Sequence, residues 1–260
     1  LSGGIRVYKY KNSLEGFFGY SDGFSSRTGV AACFRDGNDE ILPPTIKGSP
    51  CTNLDKTTSD TDFIHKLNAT YKLTDDALVY ATWSRGFRPG GVNRRGTLPP
   101  YGADELDNYE LGWKTTWAGG AFRWNGAVYY EKWSNIQLSF LGANGLTEVR
   151  NAGDARIWGI ESDIFIRASE GLTFNAGFSY NDAQSTTDFC LIANPQFDCT
   201  LAGPDEEENA LLAPSGTRLP VSAKFKGNAF ARYEFPVADL KAHFQGGLVY
   251  EGKRTSDLRL

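Results

Sequence analysis

The sequence predicts an all-β protein whose antiparallel strands form part of a transmembrane β-barrel. Three observations lead to this fold class. Apolar and polar residues alternate along stretches of about ten residues or more, which is the period of a strand with one apolar face. Short turns and long loops also alternate, as in barrels whose turns lie on one side of a membrane and whose loops lie on the other. No stretch of comparable length has a helical period near 3.6 residues.

Composition narrows the class of protein further. The chain has 260 residues, of which 40% are hydrophobic and 22% charged, so it is not composed like a disordered protein. Its net charge of −4 gives no broad basic surface for a nucleic acid. No apolar run is long enough for a transmembrane helix, which needs about 20 residues. A mean hydropathy of −0.39 is compatible with a membrane barrel, because its strands alternate.

The predicted strands follow one another from end to end of the chain. Gly3–Lys11 and Asp62–Leu73 come first, and Ala77–Phe87 follows the turn Thr74-Asp75-Asp76. The remaining strands are Leu106–Trp117, Ala121–Gln137, the two arms of a hairpin over Val149–Gln184, Arg218–Phe235 and Leu240–Glu251. Extracellular loops are predicted at about 13–61, 89–105, 138–147 and 185–217.

The hairpin Val149–Gln184 shows the alternation best. One face of its first arm carries Trp158, Ile160, Ser162, Ile164 and Ile166, and one face of its second arm carries Leu172, Phe174, Ala176, Phe178 and Tyr180. The opposite faces carry Glu161, Asp163, Arg167 and Asn175. Each arm is longer than the 5–6 residues typical of soluble strands, and we expect the apolar stripe to face lipid and the polar stripe to face the lumen.

About nine main strands are expected. Nine is odd, whereas bacterial single-chain barrels have an even number of strands, and both ends would leave open edges that need partners. Residue 1 is Leu and the chain contains no Met. We therefore expect the sequence to be a piece of a larger barrel.

Four strand blocks resemble TonB-dependent outer-membrane receptors. They occur in the order and spacing of that family, over about residues 62–251. The blocks are Tyr80-Ala81-Thr82-Trp83-Ser84-Arg85-Gly86-Phe87-Arg88-Pro89-Gly90-Gly91-Val92-Asn93, Asn108-Tyr109-Glu110-Leu111-Gly112-Trp113-Lys114, Val149-Arg150-Asn151-Ala152-Gly153 with Gly159-Ile160-Glu161, and Gly171-Leu172-Thr173-Phe174-Asn175-Ala176 with Tyr180-Asn181-Asp182-Ala183.

The resemblance implies the carboxyl-side part of a 22-stranded barrel in the outer membrane of a Gram-negative cell. It implies active import of a scarce nutrient, most readily a ferric siderophore-like chelate, and no enzyme activity. The implied partners are outer-membrane lipid and lipopolysaccharide, the small-molecule nutrient, and the TonB complex, which would act through a plug domain that is not recognisable in this chain. The alternatives are a surface β-barrel that binds a partner without transport, and a passive porin without TonB coupling.

Five residues are the candidates for ligand binding. Arg85, Arg88, Arg94 and Arg95 gather at the end of one strand and in the loop after it. They could attract an anionic chelate through bidentate hydrogen bonds, contact lipopolysaccharide phosphates, or pair with Asp104 and Glu105. Tyr101 could stack on a ligand or pack the loops together.

The cysteines predict two local disulfides. Cys33 and Cys51 share one loop, Cys190 and Cys199 share another, and no pair has the C-x-x-C spacing of a zinc site. We expect the pairs Cys33–Cys51 and Cys190–Cys199 in an oxidising compartment, with free thiols as the alternative. No metal site, cofactor or catalytic residue is predicted, because the paired carboxylates Glu161 and Asp163 are better explained as luminal charges.

Overall fold

One antiparallel sheet organises the chain. The computed structural model describes residues 1–18, 43–94, 98–141, 147–190, 211–256 and 258. Within them, nine long strands follow the order β1-β2-β3-β4-β5-β8-β9-β12-β13, and every neighbouring pair is antiparallel. The bounds are β1 Ser2–Gly16, β2 Leu54–Thr74, β3 Ala77–Arg88, β4 Asp104–Trp117, β5 Phe122–Ser134, β6 Gln137–Leu141, β7 Thr147–Asn151, β8 Ala155–Ser169, β9 Leu172–Ser185, β10 Phe189–Cys190, β11 Leu211–Ala213, β12 Phe225–Val237 and β13 Leu240–Glu251.

This arrangement confirms the predicted fold class and the nine main strands. The sheet is an unclosed part of a barrel, and each connection inside the nine-stranded sheet joins sequential neighbours, apart from two inserted small hairpins, β6–β7 and β10–β11. In the part of the chain that the structure describes, no helix is long and apolar enough to cross a membrane.

Several strand bounds differ from the prediction. β1 continues to Gly16 and β2 begins at Leu54, so these strands reach well into the predicted loop 13–61. The added part of β2 is rich in Ser, Thr, Asp and Lys. Because backbone pairing does not require an apolar face, this part shows no alternation of apolar and polar residues. Conversely, the strand predicted from Arg218 begins at Phe225, because Pro220 has no N–H to donate and Val221 has a positive φ of 64°.

The segment Val149–Gln184, predicted as one hairpin, belongs to two separate hairpins. Val149 lies in β7, which pairs with β6, whereas the long hairpin consists of β8 and β9. β5 likewise ends at Ser134, short of the predicted Gln137. The break lies at Asn135, where φ is 54°, and the small β6–β7 hairpin begins immediately after it.

The register gives the nine-stranded sheet one apolar and one polar face. We call the face that carries Trp158, Ile160, Ile164 and Ile166 the apolar face. An aromatic row crosses it, since Trp83 lies opposite Tyr109, Tyr109 opposite Tyr130, and Tyr130 opposite Trp158. A second aromatic row near the short turns includes Trp117, Phe122 and Phe174. Most of these side chains are exposed, with Trp158 at 41% and Trp117 at 56%, and Phe122 is half-buried.

The polar face carries the predicted luminal stripe. Asn125 Nδ2 donates to Asp163 Oδ2 at 3.0 Å, and Tyr80 Oη donates to Glu110 Oε1 at 2.6 Å. These bonds cross from strand to strand along the wall, as side-chain ladders do on one face of an antiparallel sheet. A cluster of buried apolar side chains lies at the long-loop end and consists of Ile136, Ala155, Ala183, Phe189, Ala213, Leu219 and Leu258.

Aromatic side chains pack against glycines on the neighbouring strand. A Cβ added to these glycines would approach ring or hydroxyl atoms within 2.3–2.5 Å, so the absence of a side chain makes the packing possible. Four directly opposed pairs share this arrangement: Tyr80 with Gly112, Trp113 with Gly126, Tyr129 with Gly159, and Phe230 with Gly247.

Replacing Gly159 by alanine is expected to destabilise the sheet by about 1–3 kcal/mol. The new methyl group would lie 2.4 Å from the backbone oxygen of Tyr180 and 2.5 Å from the Tyr129 hydroxyl, and a backbone atom cannot turn away. Urea unfolding of the protein in lipid vesicles measures the loss. Gly246→Ala is the matched control, because nothing lies within 4 Å of its added Cβ; equal stability of the two variants would contradict this account.

Candidate functional site

The long-loop end of the sheet contains a cavity formed by three segments. Its volume is about 310 Å³, which is near the lower limit for small-molecule sites. We call it the loop cavity. It is lined by Phe18, Val92, Asn93, Arg94, Leu98, Tyr101, Thr147, Glu148 and Val149, which come from the start of the β1–β2 connection, the β3–β4 loop and β7.

Asn93 joins two of these segments. Its Oδ1 accepts from the Val149 backbone N–H at 2.9 Å, and its Nδ2 donates to the Val149 carbonyl at 2.8 Å. The side chain is buried, at 6% exposure. The amide therefore pairs with β7 as another strand residue would, and it fixes the position of the adjacent Arg94.

Tyr101 is held against Gly91. The two residues exchange backbone hydrogen bonds of 3.0 and 2.9 Å, and a Cβ on Gly91 would lie 2.4 Å from the Tyr101 hydroxyl oxygen. The Tyr101 ring thus packs the loop and lines the cavity. This placement is compatible with both roles that the sequence suggested for Tyr101, which are packing of the loops and stacking on a ligand.

Arg94 is the cation at the cavity. Its side chain is exposed, and it forms no ion pair with a residue in the described part of the chain. The neighbouring Glu148 is buried and paired with Arg150 at 2.8 Å. The carboxylate in the cavity is thus already compensated, whereas the Arg94 guanidinium keeps its donors for another group.

Arg88 is bound within the protein. Asp104 is 2% exposed and accepts hydrogen bonds from Arg88 Nε, from Trp133 Nε1 at 3.0 Å and from the Gln137 backbone N–H at 3.2 Å. We call these four residues the Asp104 hub. The Arg88 guanidinium also lies over the Trp133 ring, with 5.3 Å from Cζ to the ring centroid.

The Asp104 hub extends to the loop that carries Tyr101. Gln137 Nε2 donates to the carbonyls of Pro89 and Gly102 at 3.0 and 2.9 Å. Asn151 accepts from the Gly102 N–H at 2.7 Å through its Oδ1 and donates to the Gly102 carbonyl at 3.1 Å. The hub, the β3–β4 loop and the β6–β7 hairpin therefore form one hydrogen-bonded unit beside the cavity.

Arg85 is also paired. Its Nε and Nη2 atoms donate to the two Asp107 carboxylate oxygens at 2.8 Å each, and its Nη1 lies 3.2 Å from Glu105. The fork of Arg85 is thus occupied by a bidentate pair. Acid pairing was one of the alternatives left open by the sequence, and it is the arrangement found for Arg85 and Arg88.

The structure brings together two of the five predicted ligand-binding residues, Arg94 and Tyr101. Arg85 and Arg88 lie outside the lining of the loop cavity, and Arg95 lies outside the described residues. Ligand binding by these residues stays a prediction. Sequence reasoning missed Asn93 and Gln137, since a single amide that bridges two loops leaves no periodic signal in a sequence.

The cysteine predictions are only partly within the described residues. Cys51 is fully buried and disulfide-bonded, and no free cysteine occurs among the described side chains. Cys33 and Cys199 lie outside the described residues, and so does the side chain of Cys190. Both pairings, Cys33–Cys51 and Cys190–Cys199, therefore stay predictions.

The polar face contains a second, wider concavity of about 760 Å³. Its polar lining includes Tyr80, Asn125, Glu161, Asp163, Lys226 and Asn228. Both signs of charge are present, which suits a luminal wall. Among the described side chains, no group of three or more His, Cys, Asp or Glu could hold a metal ion.

Comparisons with known proteins by sequence and by structure point to the same family. A family model described as "TonB dependent receptor-like, beta-barrel" matches residues 2–258. The pesticin receptor of Yersinia enterocolitica is 29% identical over 145 residues, which cover 54% of this chain and 21% of that protein. The chain therefore spans about a fifth of the length of this curated relative.

Two solved structures share the fold at low sequence identity. The ferric yersiniabactin uptake receptor FyuA from Yersinia pestis has a TM-score of 0.61 at 20% identity, covering 82% of this chain and 29% of that one. The siderophore receptor PiuA from Acinetobacter baumannii has a TM-score of 0.55 at 15% identity, covering 83% and 29%. At these identities the likeness concerns the fold alone.

Proposed function

The chain belongs to the family of TonB-dependent receptor β-barrels, and on that premise we propose that it forms part of an outer-membrane receptor that binds and imports a scarce nutrient. The family is one of transport receptors rather than enzymes. The ligand we propose is an anionic ferric chelate of the siderophore type, and TonB supplies the energy through a plug domain elsewhere in the receptor.

The apolar face supports the membrane placement. Its exposed side chains include Leu111 at 54% and Phe244 at 72%, and a surface of this kind needs an apolar partner. The two aromatic rows on this face, through Trp158 and Ile166 respectively, are about 26 Å apart along the strand. Aromatic girdles flank the apolar band of membrane barrels in this way. We therefore assign the apolar face to lipid and the polar face to the lumen.

The observation that carries the ligand assignment is the placement of Arg94. It is an exposed cation without an ion pair to any described residue, it is held at the loop cavity by its buried neighbour Asn93, and Tyr101 lines the same cavity. A guanidinium offers a planar fork for carboxylate or phenolate oxygens, and an aromatic ring supports a flat ligand group. A cavity of about 310 Å³ holds one arm of a chelate, with the rest above it.

The names of the relatives support the same ligand class. FyuA is a ferric yersiniabactin uptake receptor and PiuA is a siderophore receptor. The named ligands differ between receptors of similar barrel fold, so the shared strands do not specify a ligand. We infer that the loops, including the segment with Arg94, determine which chelate this receptor takes.

Replacing Arg94 by glutamine is expected to weaken binding of the preferred iron chelate about 10-fold, because a charge-assisted hydrogen bond is lost. Competition binding on the intact receptor, with ferric catecholate, hydroxamate and citrate chelates beside cobalamin and neutral oligosaccharides, identifies the preferred ligand and measures the loss. Arg254→Gln is the control, since it removes an exposed arginine at the same end of the sheet. Tight binding of a neutral oligosaccharide that Arg94→Gln leaves unchanged would overturn the proposal.

A further inference from the structure

A row of charged side chains borders the aromatic row on the apolar face. One step beyond Trp83, Tyr109, Tyr130 and Trp158, toward the long loops, Arg85 lies opposite Asp107, Asp107 opposite Lys132, Lys132 opposite Arg156, and Arg156 opposite Gln184. We call it the cation row, since it holds three cations and one anion. Two residues along a strand correspond to about 7 Å.

The carboxylates near this row are distributed unevenly among its cations. Asp107 and Glu105 compensate Arg85, which leaves Lys132 and Arg156. These two residues are directly opposed on neighbouring strands, where Cβ atoms are about 5 Å apart and like charges destabilise the sheet. Lys132 is exposed and forms no ion pair with a described residue.

The nearest carboxylate to Arg156 is shared. Asp182 lies 3.9 Å from Arg156 Nη1, but its other oxygen lies 2.7 Å from Lys224 Nζ. Arg156 Nη2 instead donates to the neutral Gln184 Oε1 at 2.8 Å. Arg156 and Lys224 thus share a single carboxylate, and Lys132 has no carboxylate partner among the described residues.

We propose that Lys132 and Arg156 form a binding site for a phosphate group of a glycolipid in the outer leaflet of the membrane. A phosphate between the two side chains would relieve their repulsion and accept hydrogen bonds from both. The site lies about 7 Å beyond a row of Trp and Tyr side chains, which mark the membrane–water interface, and this is the depth of lipid headgroups.

The position favours a lipid over the nutrient as the source of the phosphate. Lys132 lies on the apolar face, whereas the next residue, Trp133, lies on the polar face and contacts the Asp104 hub. A ligand in the loop cavity or in the lumen is therefore on the other side of the sheet. The inference depends on the proposed membrane placement and is independent of nutrient import.

The test compares lipid binding by the intact receptor and its variants. Lipid A with both phosphates, and the same lipid after enzymatic dephosphorylation, are titrated into receptor in neutral detergent, and the bound fraction is measured by native mass spectrometry. Each basic residue near an anionic surface contributes roughly five-fold in affinity. The double variant Lys132→Gln/Arg156→Gln should bind the phosphorylated lipid about 25-fold more weakly, and Lys132→Gln alone about five-fold more weakly.

Arg123→Gln is the matched control, because it removes a cation from the same strand β5 on the polar face, where Arg123 lies over Phe165. Its lipid binding should equal that of the unmodified receptor. Chelate binding should be the same in all four proteins, so failure of this inference is distinguishable from failure of the proposed function.

Three outcomes would overturn the inference. The first is an equal preference for phosphorylated lipid A in the double variant and the unmodified receptor. The second is equal binding of the phosphorylated and dephosphorylated lipids by the unmodified receptor. The third is displacement of the lipid by an equal concentration of inorganic phosphate, because the site would then select a free anion rather than a lipid headgroup.

Discussion

Replacing Asp104 by alanine is expected to destabilise the long-loop end of the barrel by about 3 kcal/mol, since it leaves partly buried donors without their acceptor and breaks an ion pair whose carboxylate is buried. Asp104 is 2% exposed and is the common acceptor of Arg88, Trp133 and the Gln137 N–H. Arg88 itself is half exposed, so water can solvate its guanidinium once Asp104 is removed. The expected loss of stability is therefore smaller than the largest losses seen for fully buried ion pairs.

Urea unfolding followed by tryptophan fluorescence measures this loss, because Trp133 belongs to the Asp104 hub. Asp107→Ala is the matched control. It also removes a carboxylate paired with an arginine, but Arg85 keeps Glu105 at 3.2 Å as a second partner, so a loss of about 1 kcal/mol is expected. Equal losses in the two variants would show that Asp104 is an ordinary surface acid and that the hub does not organise this end of the sheet.

The same variant is expected to weaken chelate binding. Gln137 holds the Gly102 carbonyl, and Gly102 directly follows Tyr101, which lines the loop cavity. Loosening of the hub therefore displaces Tyr101 without removing any cavity side chain. A loss of chelate affinity in Asp104→Ala that is absent in Asp107→Ala would separate this positioning effect from general damage to the strand.

The sheet was predictable wherever one strand face is apolar. Trp158 to Ile166 and Phe174 to Tyr180 alternate because one side of each strand must be apolar and the other polar, and their pairing in β8 and β9 follows from a short turn. The extension of β1 and β2 was not predictable, because residues 54–61 pair with β1 through the backbone and their sequence does not alternate between apolar and polar residues. The start of β12 was predicted too early because local backbone geometry at Val221 overrides the alternation.

The candidate site was predictable in composition but not in arrangement. The arginines of the β3–β4 loop are conspicuous in the sequence, yet residue type does not distinguish Arg88, which is paired with Asp104, from Arg94, which has no ion pair among the described residues. That distinction depends on register, since Arg88 lies directly opposite Asp104 on β4. The Asn93 bridge joins residues 56 positions apart, and no local pattern encodes such a contact.

Placing an arginine at Ile164 is expected to cost about 2–4 kcal/mol in a bilayer, as a charge does near the midplane of a barrel's lipid face. Ile164 lies on the apolar face between the two aromatic rows, opposite Trp124 and Ala176 on the neighbouring strands. Ile164 is half-buried, and in water a substitution at a surface position away from core contacts has an effect of about 0.5 kcal/mol or less. The cost therefore measures the surroundings of the apolar face.

The most direct test of the account is urea unfolding of Ile164→Arg and Asn175→Arg in lipid vesicles. Asn175 lies on the same hairpin but on the polar face, and it is exposed. We expect Ile164→Arg to lose about 2–4 kcal/mol and Asn175→Arg to lose less than about 1 kcal/mol. Equal stability of the two variants, or a larger loss in Asn175→Arg, would contradict the assignment of the apolar face to lipid.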